Sequence, residues 1–163
     1  MTMFAVSVLI AAVLMEPYSA AVHKLLWHGP LWRLHRHHHR PATNRSLNPN
    51  DLLSVSHAPI AVALCAAGFF SHGPWSAVLL GAGVGMTLYG ALYMLFHDGM
   101  VHERLPVSFL LRFAICRRWK AAHERHHTSV ASPWGFFLSP VRRAAAADGR
   151  RADSGDDMSA RAS

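Results

Sequence analysis

The sequence is poor in cysteine and in charge. Its two cysteines, Cys65 and Cys116, stand far apart, and no C-x-x-C pair occurs. That argues against a disulfide framework, a zinc ribbon or an iron–sulfur cluster, all of which need more thiolates. Charged residues make up 15% of the 163 positions and hydrophobic ones 52%, a balance too apolar for an ordinary soluble domain. No dinucleotide fingerprint and no nucleic-acid-binding motif is present, so nucleic acid does not explain the net charge of +7. Long stretches also lack basic residues: none of the 16 Lys and Arg falls in residues 1–22 or 52–101.

Those base-free stretches hold three apolar runs, each close to the roughly 20 residues that cross a bilayer. They are about Met3 to Val22, interrupted by Glu16 and Pro17, about Leu52 to Phe70, and about Trp75 to Phe96. The tight "SHGP" makes the last two a helical hairpin. A shorter run, "LPVSFLLRFAIC" (Leu105 to Cys116), carries Arg112 and reads as a partial fourth segment, interfacial or re-entrant. The first run has no basic n-region, which favours a retained span over a cleaved signal peptide. The expected fold is an all-α integral membrane helical bundle with three full spans and a partial fourth. By the positive-inside rule the basic segments are cytoplasmic and the N-terminus is outside. Residues 1–143 form the membrane-embedded domain. The small, polar stretch 144–163 reads as a disordered tail.

Histidine dominates what is present. Ten of the 13 histidines fall into four clusters in the order pair, triple, pair, triple. The pairs are His23 with His28 ("HKLLWH") and His97 with His102 ("HDGMVH"). The triples are His35, His38 and His39 ("LHRHHHRP") and His123, His126 and His127 ("AHERHH"). The topology puts all four at or beyond the cytoplasmic span ends, on helix extensions. On a helix, i, i+3 and i+4 share one face, so each triple is expected to aim three rings at one point. Positions i and i+5 of an α-helix lie about 140° apart, so each pair is expected to diverge. Gly29–Pro30 should stop the first helix just past His28. Ten ligands are too many for one ion and suit two. Imidazole serves zinc, copper, iron and nickel. Structural zinc takes four ligands, mostly thiolates, and an all-nitrogen site for two ions at a membrane surface favours oxygen chemistry at iron. A solvated histidine tract could explain residues 35–39 alone. A bis-histidine haem protein would place single histidines inside facing spans. Four ordered clusters fit neither well.

Several other residues are candidates. Glu16 lies in an apolar run seven residues before His23, where it can hold a ligand histidine or make a packing hydrogen bond. Asp98, Glu103 and Glu124 each follow a clustered histidine and can orient imidazoles or remain solvated. Asn50 and Asp51 can cap the second span or support the metal site. Tyr89 and Tyr93 step by four toward His97, for substrate contact or for aromatic packing. His57, just inside the second span, is within range of the site. "GAGVG" (Gly81 to Gly85) reads as small-residue helix packing and not as a phosphate loop.

"MEPYSAAVHKLLWHG", "LHRHHHRP", "NDL", "LYGALYMLFHDGMVHERLP" and "AHERHH" together resemble the bacterial β-carotene 3-hydroxylases of the fatty acid hydroxylase and sterol desaturase superfamily. The resemblance runs from about Met15 to Pro140. It implies two non-haem iron ions held by His23, His28, His35, His38, His39, His97, His102, His123, His126 and His127. It implies O2-dependent hydroxylation of a carotenoid ring: β-carotene to β-cryptoxanthin and zeaxanthin, with keto-carotenoids as further substrates. Electrons would come from ferredoxin or a similar donor, at the bacterial inner membrane. Hydroxylation or desaturation of another lipid, fatty acid or sterol, is the nearest alternative. A non-catalytic metal- or haem-binding membrane protein is the other. The chain departs from the family pattern after His127, where "TSVASPWGFFLSP" is shorter, and at Met100, which replaces leucine.

Overall fold

The computed structural model describes residues 1–39 and 47–139. The tail at 144–163 lies outside the described residues. Every regular element among those described is helical. Helix α1 (Thr2–Val22) runs unbroken through Pro17 and continues as a π-helical turn, His23–Trp27. The chain turns at Gly29–Pro30, as their lack of helix propensity requires, and enters the short α2 (Trp32–His35). Helix α3 (Pro49–Val55) starts on a capping box in which Asn48 and Asp51 satisfy each other's backbone amides. After a break at Ser56–His57 come α4 (Ala58–Phe70) and α5 (Pro74–Tyr93), and a second π-helical segment, Met94–Val101, extends α5. The run from Leu105 to Cys116 divides between a 3-10 turn (Ser108–Arg112) and the start of α6 (Ala114–Ser129).

Three continuous stretches, Thr2–Trp27, Pro49–Phe70 and Pro74–Val101, are long and apolar enough to cross a membrane. Their outer faces carry exposed Leu9, Ile10, Val13, Val62, Phe69 and Leu88. In water such surfaces would be costly; in lipid they are solvated. The chain is an integral membrane protein.

Helix α5 is the central span and packs on both α1 and α4. Its glycines explain how. A Cβ on Gly81 would lie 2.7 Å from the Phe4 carbonyl oxygen, and one on Gly83 2.8 Å from that of Ala61. Gly81 and Gly85 meet α1 while Gly83 meets α4, so "GAGVG" gives two close-packing faces on one helix. At its end α5 delivers His97, and α1 delivers His23, to the same level. Helix α6 ends where Val130 adopts a left-handed conformation (φ 52°), and the chain returns over the histidines as the segment 131–139.

Candidate metal centre

The four histidine clusters meet in one place. His23, His28, His35, His39 and His126 form one group, and His38, His102, His123 and His127 a second. Within each group one ring nitrogen from every histidine lies within 4.8 Å of those of the others. His97 stands against the second: its Nε2 is 3.1 Å from that of His123.

The structure departs from two expectations of the spacing. The pairs do not diverge. The turn after each first histidine is π-helical, and the His28 amide donates to the His23 carbonyl (2.9 Å) as that of His102 does to His97 (3.1 Å). This i→i+5 bond widens the turn and brings the fifth residue back over the first. The paired rings end 4.9 Å apart (His23, His28) and 4.8 Å apart (His97, His102). The triples, conversely, do not aim at one point. His35 and His39 join the first group while His38 joins the second; on α6, His126 joins the first and His123 and His127 the second. Each triple thus straddles both groups and each pair serves one.

The nitrogens around these groups fit cations better than they fit one another. The Trp134 carbonyl accepts from His23 Nδ1 (2.8 Å), and the Ala131 carbonyl accepts from His126 Nδ1. A carbonyl cannot donate, so both Nδ1 atoms carry the proton, and a neutral imidazole then has a bare lone pair at Nε2. His35 Nδ1 likewise donates to Asn50 Oδ1 (2.8 Å). Its Nε2 faces His23 Nε2 at 3.0 Å, lone pair against lone pair. In the second group three Nε2 atoms crowd that of His123: His97 and His102 at 3.1 Å and His38 at 3.3 Å. One ring nitrogen can satisfy one hydrogen bond, so the others have no partner. His127 Nε2 and His39 Nδ1 are buried with none. A positive ion among each set of inward lone pairs would relieve the crowded Nε2 contacts. A haem fits poorly: ring centroids packed 4.4–5.1 Å apart leave no room for a macrocycle.

Burial holds the rings outside the spans neutral and ready to bind. It lowers His28 and His39 from the ordinary 6.5 to about 4, and His35 and His127 to about 3, with neighbouring imidazoles adding repulsion. His38, His102 and His123 are pushed well down by the same two causes.

The supporting residues divide. Asp98 Oδ1 accepts from His97 Nδ1 (3.1 Å). Asp51 touches no histidine: it caps α3 through Asn48 N (2.8 Å) and pairs with Arg104 (3.0 Å). Its neighbour Asn50, 2% exposed, is the one that holds His35. Glu16 touches no histidine either. It accepts from the Tyr89 hydroxyl (2.8 Å) and the Leu138 amide (3.0 Å). Glu103 and Glu124 both reach Lys120 (3.4 and 3.1 Å). Tyr93 stacks on His97 with ring centroids 4.3 Å apart. His57 hydrogen-bonds the Tyr18 hydroxyl (3.1 Å).

Sequence reasoning missed the 131–139 segment. Trp134 lies against His28 and His126, and Phe136 against His97. The aromatic composition of "PWGFF" was its only signal.

Beside the first group lies a cavity of about 630 Å³ among α1, α3, α4 and α5. Met15, Ala61, Val62, Met86 and Met94 give it apolar walls, and Tyr89 and Tyr93 line it. His23, Trp134 and Phe136 form its inner end. The mostly apolar lining suits an apolar molecule beside His23.

These features define a helical membrane protein with a histidine-built centre able to hold metal ions. The chain belongs to the fatty acid hydroxylase family, whose model matches residues 8–143. It is 40% identical over 132 residues to beta-carotene 3-hydroxylase 1, chloroplastic, of Arabidopsis thaliana, covering 80% of this chain and 42% of the relative. It is 41% identical over 130 residues to beta-carotene 3-hydroxylase, chloroplastic, of Haematococcus lacustris (77% and 40% covered). It is 40% identical over 120 residues to beta-carotene hydroxylase of Pseudescherichia vulneris (74% and 65% covered). The chain thus spans less than half the length of the chloroplastic relatives and 65% of the bacterial one. No solved structure matches it.

Proposed function

We propose that this chain hydroxylates a carotenoid ring with O2 at a pair of non-haem iron ions. The observation that carries the reading is the apolar cavity ending at His23, beside two converged sets of imidazole lone pairs. The names of the relatives supply β-carotene as the substrate; keto-carotenoids, which share its ring skeleton, are the next substrates to offer.

His23, His28, His35, His39 and His126 would hold one ion, and His38, His97, His102, His123 and His127 the other. Bound iron supplies the oxidising power that an unactivated C–H bond demands and that side chains lack. The protein does the rest. Asn50, Asp98 and the carbonyls of Ala131 and Trp134 hold outward Nδ1 protons, so that the inward nitrogens stay bare. The cavity binds the ring and keeps water from it, with Tyr89 and Tyr93 along one wall. One oxygen atom enters the C–H bond and the other leaves as water, with two electrons and two protons supplied. A ferredoxin or similar acidic donor fits the exposed bases Arg117, Arg118 and Arg125 on α6. The distribution of Lys and Arg supports an external N-terminus and a cytoplasmic histidine centre in a bacterial inner membrane.

The test is a pigment extract from bacterial cells that accumulate β-carotene and express the chain with a competent donor, beside a His126→Ala control. Hydroxylated β-carotene from the intact chain alone is the expected result. Unchanged β-carotene, with iron-loaded protein in the membrane, overturns the assignment. Consumption of a fatty acid or sterol instead would move the same site to that lipid.

A further inference from the structure

Glu16 is 6% exposed, sits within a span and touches none of the histidines. A buried carboxylate is too costly to keep without a role. Its two oxygens point in two directions. Oε2 accepts from Tyr89 on α5, which also meets Ser19 (2.7 Å). Oε1 accepts from the amide of Leu138, 122 residues away in sequence, in the segment that folds back over the centre. Gly135 belongs to the same contact: a Cβ there would lie 2.7 Å from Glu16 Oε1. A side chain at 135 would push the carboxylate oxygen away from its present place. Immediately before Gly135, the Trp134 carbonyl fixes His23 Nδ1, and three residues earlier the Ala131 carbonyl fixes His126 Nδ1. Both rings belong to the first histidine group and none to the second.

We propose that Glu16 is a positioning residue for the first metal position, acting through the 131–139 segment. Its carboxylate fastens the segment at Leu138. The fastened segment then presents two carbonyls that set the tautomer and orientation of His23 and His126. Gly135 is the other half of the device. The inference rests on the two-ion reading of the site but not on the identity of the substrate.

The experiment counts iron bound by the detergent-purified full chain on titration with iron(II) under anaerobic conditions. The intact chain is measured first, and fewer than two irons per chain overturns the two-ion reading and this inference with it. If two bind, Glu16→Ala and Gly135→Ala are each expected to weaken the first position about 10–100-fold, as loss of a ligand's orienting partner does. The second position should be unaffected, so one iron per chain remains bound at limiting metal. Glu16→Gln keeps an acceptor for the Leu138 amide and is expected to restore both. Tyr89→Phe removes only the α1–α5 hydrogen bonds, to Glu16 and Ser19, and is expected to keep both irons. A role confined to helix packing makes the opposite forecast: Tyr89→Phe as damaging as Glu16→Ala, with Gly135→Ala silent. Either of those results overturns the inference. Should Glu16→Ala fail to fold, Gly135→Ala and Tyr89→Phe still decide it.

Discussion

His23 Nε2 and His35 Nε2 lie 3.0 Å apart, and each ring has already placed its proton on the far nitrogen. Two lone pairs at that distance repel, and a cation between them would relieve the repulsion. Metal therefore stabilises the fold, by about 2.7 kcal/mol when free metal exceeds Kd a hundredfold. Chelation is expected to lower the melting temperature in detergent and iron(II) to restore it. An unchanged melt would mean that the rings tolerate one another without an ion.

The histidines set a pH dependence of definite sign. His28 and His39 titrate at about 4 and His35 and His127 at about 3 in the folded chain, against 6.5 unfolded. Between those limits the unfolded chain binds more protons, so stability rises with pH. Stability of the metal-free chain is expected to be complete above 6.5 and to fall as pH drops from 6.5 toward 3. Metal affinity should weaken over the same window, since protons compete for the ligand nitrogens. Denaturation midpoints measured across that range give the slope; a flat profile would contradict it.

Asn50 and Asp51 are neighbours with separate tasks. Asn50→Leu removes the acceptor of His35 Nδ1 and should cost about 10–100-fold in metal affinity. Asp51→Ala removes a cap and is expected to cost about 1 kcal/mol of stability with metal affinity nearly unchanged. Metal titration beside thermal melts separates the two, and equal metal loss in both would contradict the assignment.

The glycines of α5 are likewise unequal. Gly81 faces the α1 backbone, whereas nothing lies within 4 Å of a Cβ on Gly90. Gly81→Ala should destabilise by about 1–3 kcal/mol through overpacking. Gly90→Ala should be neutral or stabilising by up to about 1 kcal/mol through helix propensity. Unfolding in mixed detergent compares them; a reversed order would contradict the packing.

The spans and the four histidine clusters were legible because hydropathy and residue type are local properties. The division of those histidines was not. Whether His23 and His28 converge depends on the π-helical turn between them, and "KLL" does not spell a π-turn. The splitting of each triple depends on where α2 ends relative to His38 and on how α6 lies between the pairs. Glu16 was marked by its cost in an apolar run, but its partner Leu138 lies across the whole chain. Asn50 and Asp51 stood level as candidates in the sequence; only the structure separates them, giving Asn50 the contact with His35.

X-ray absorption at the iron edge, with iron counted on the same iron-loaded protein, tests the account most directly. Two histidine groups predict two irons per chain, each in a shell rich in imidazole nitrogen, with no sulfur ligation. A single iron per chain, or a sulfur-containing shell, would contradict it.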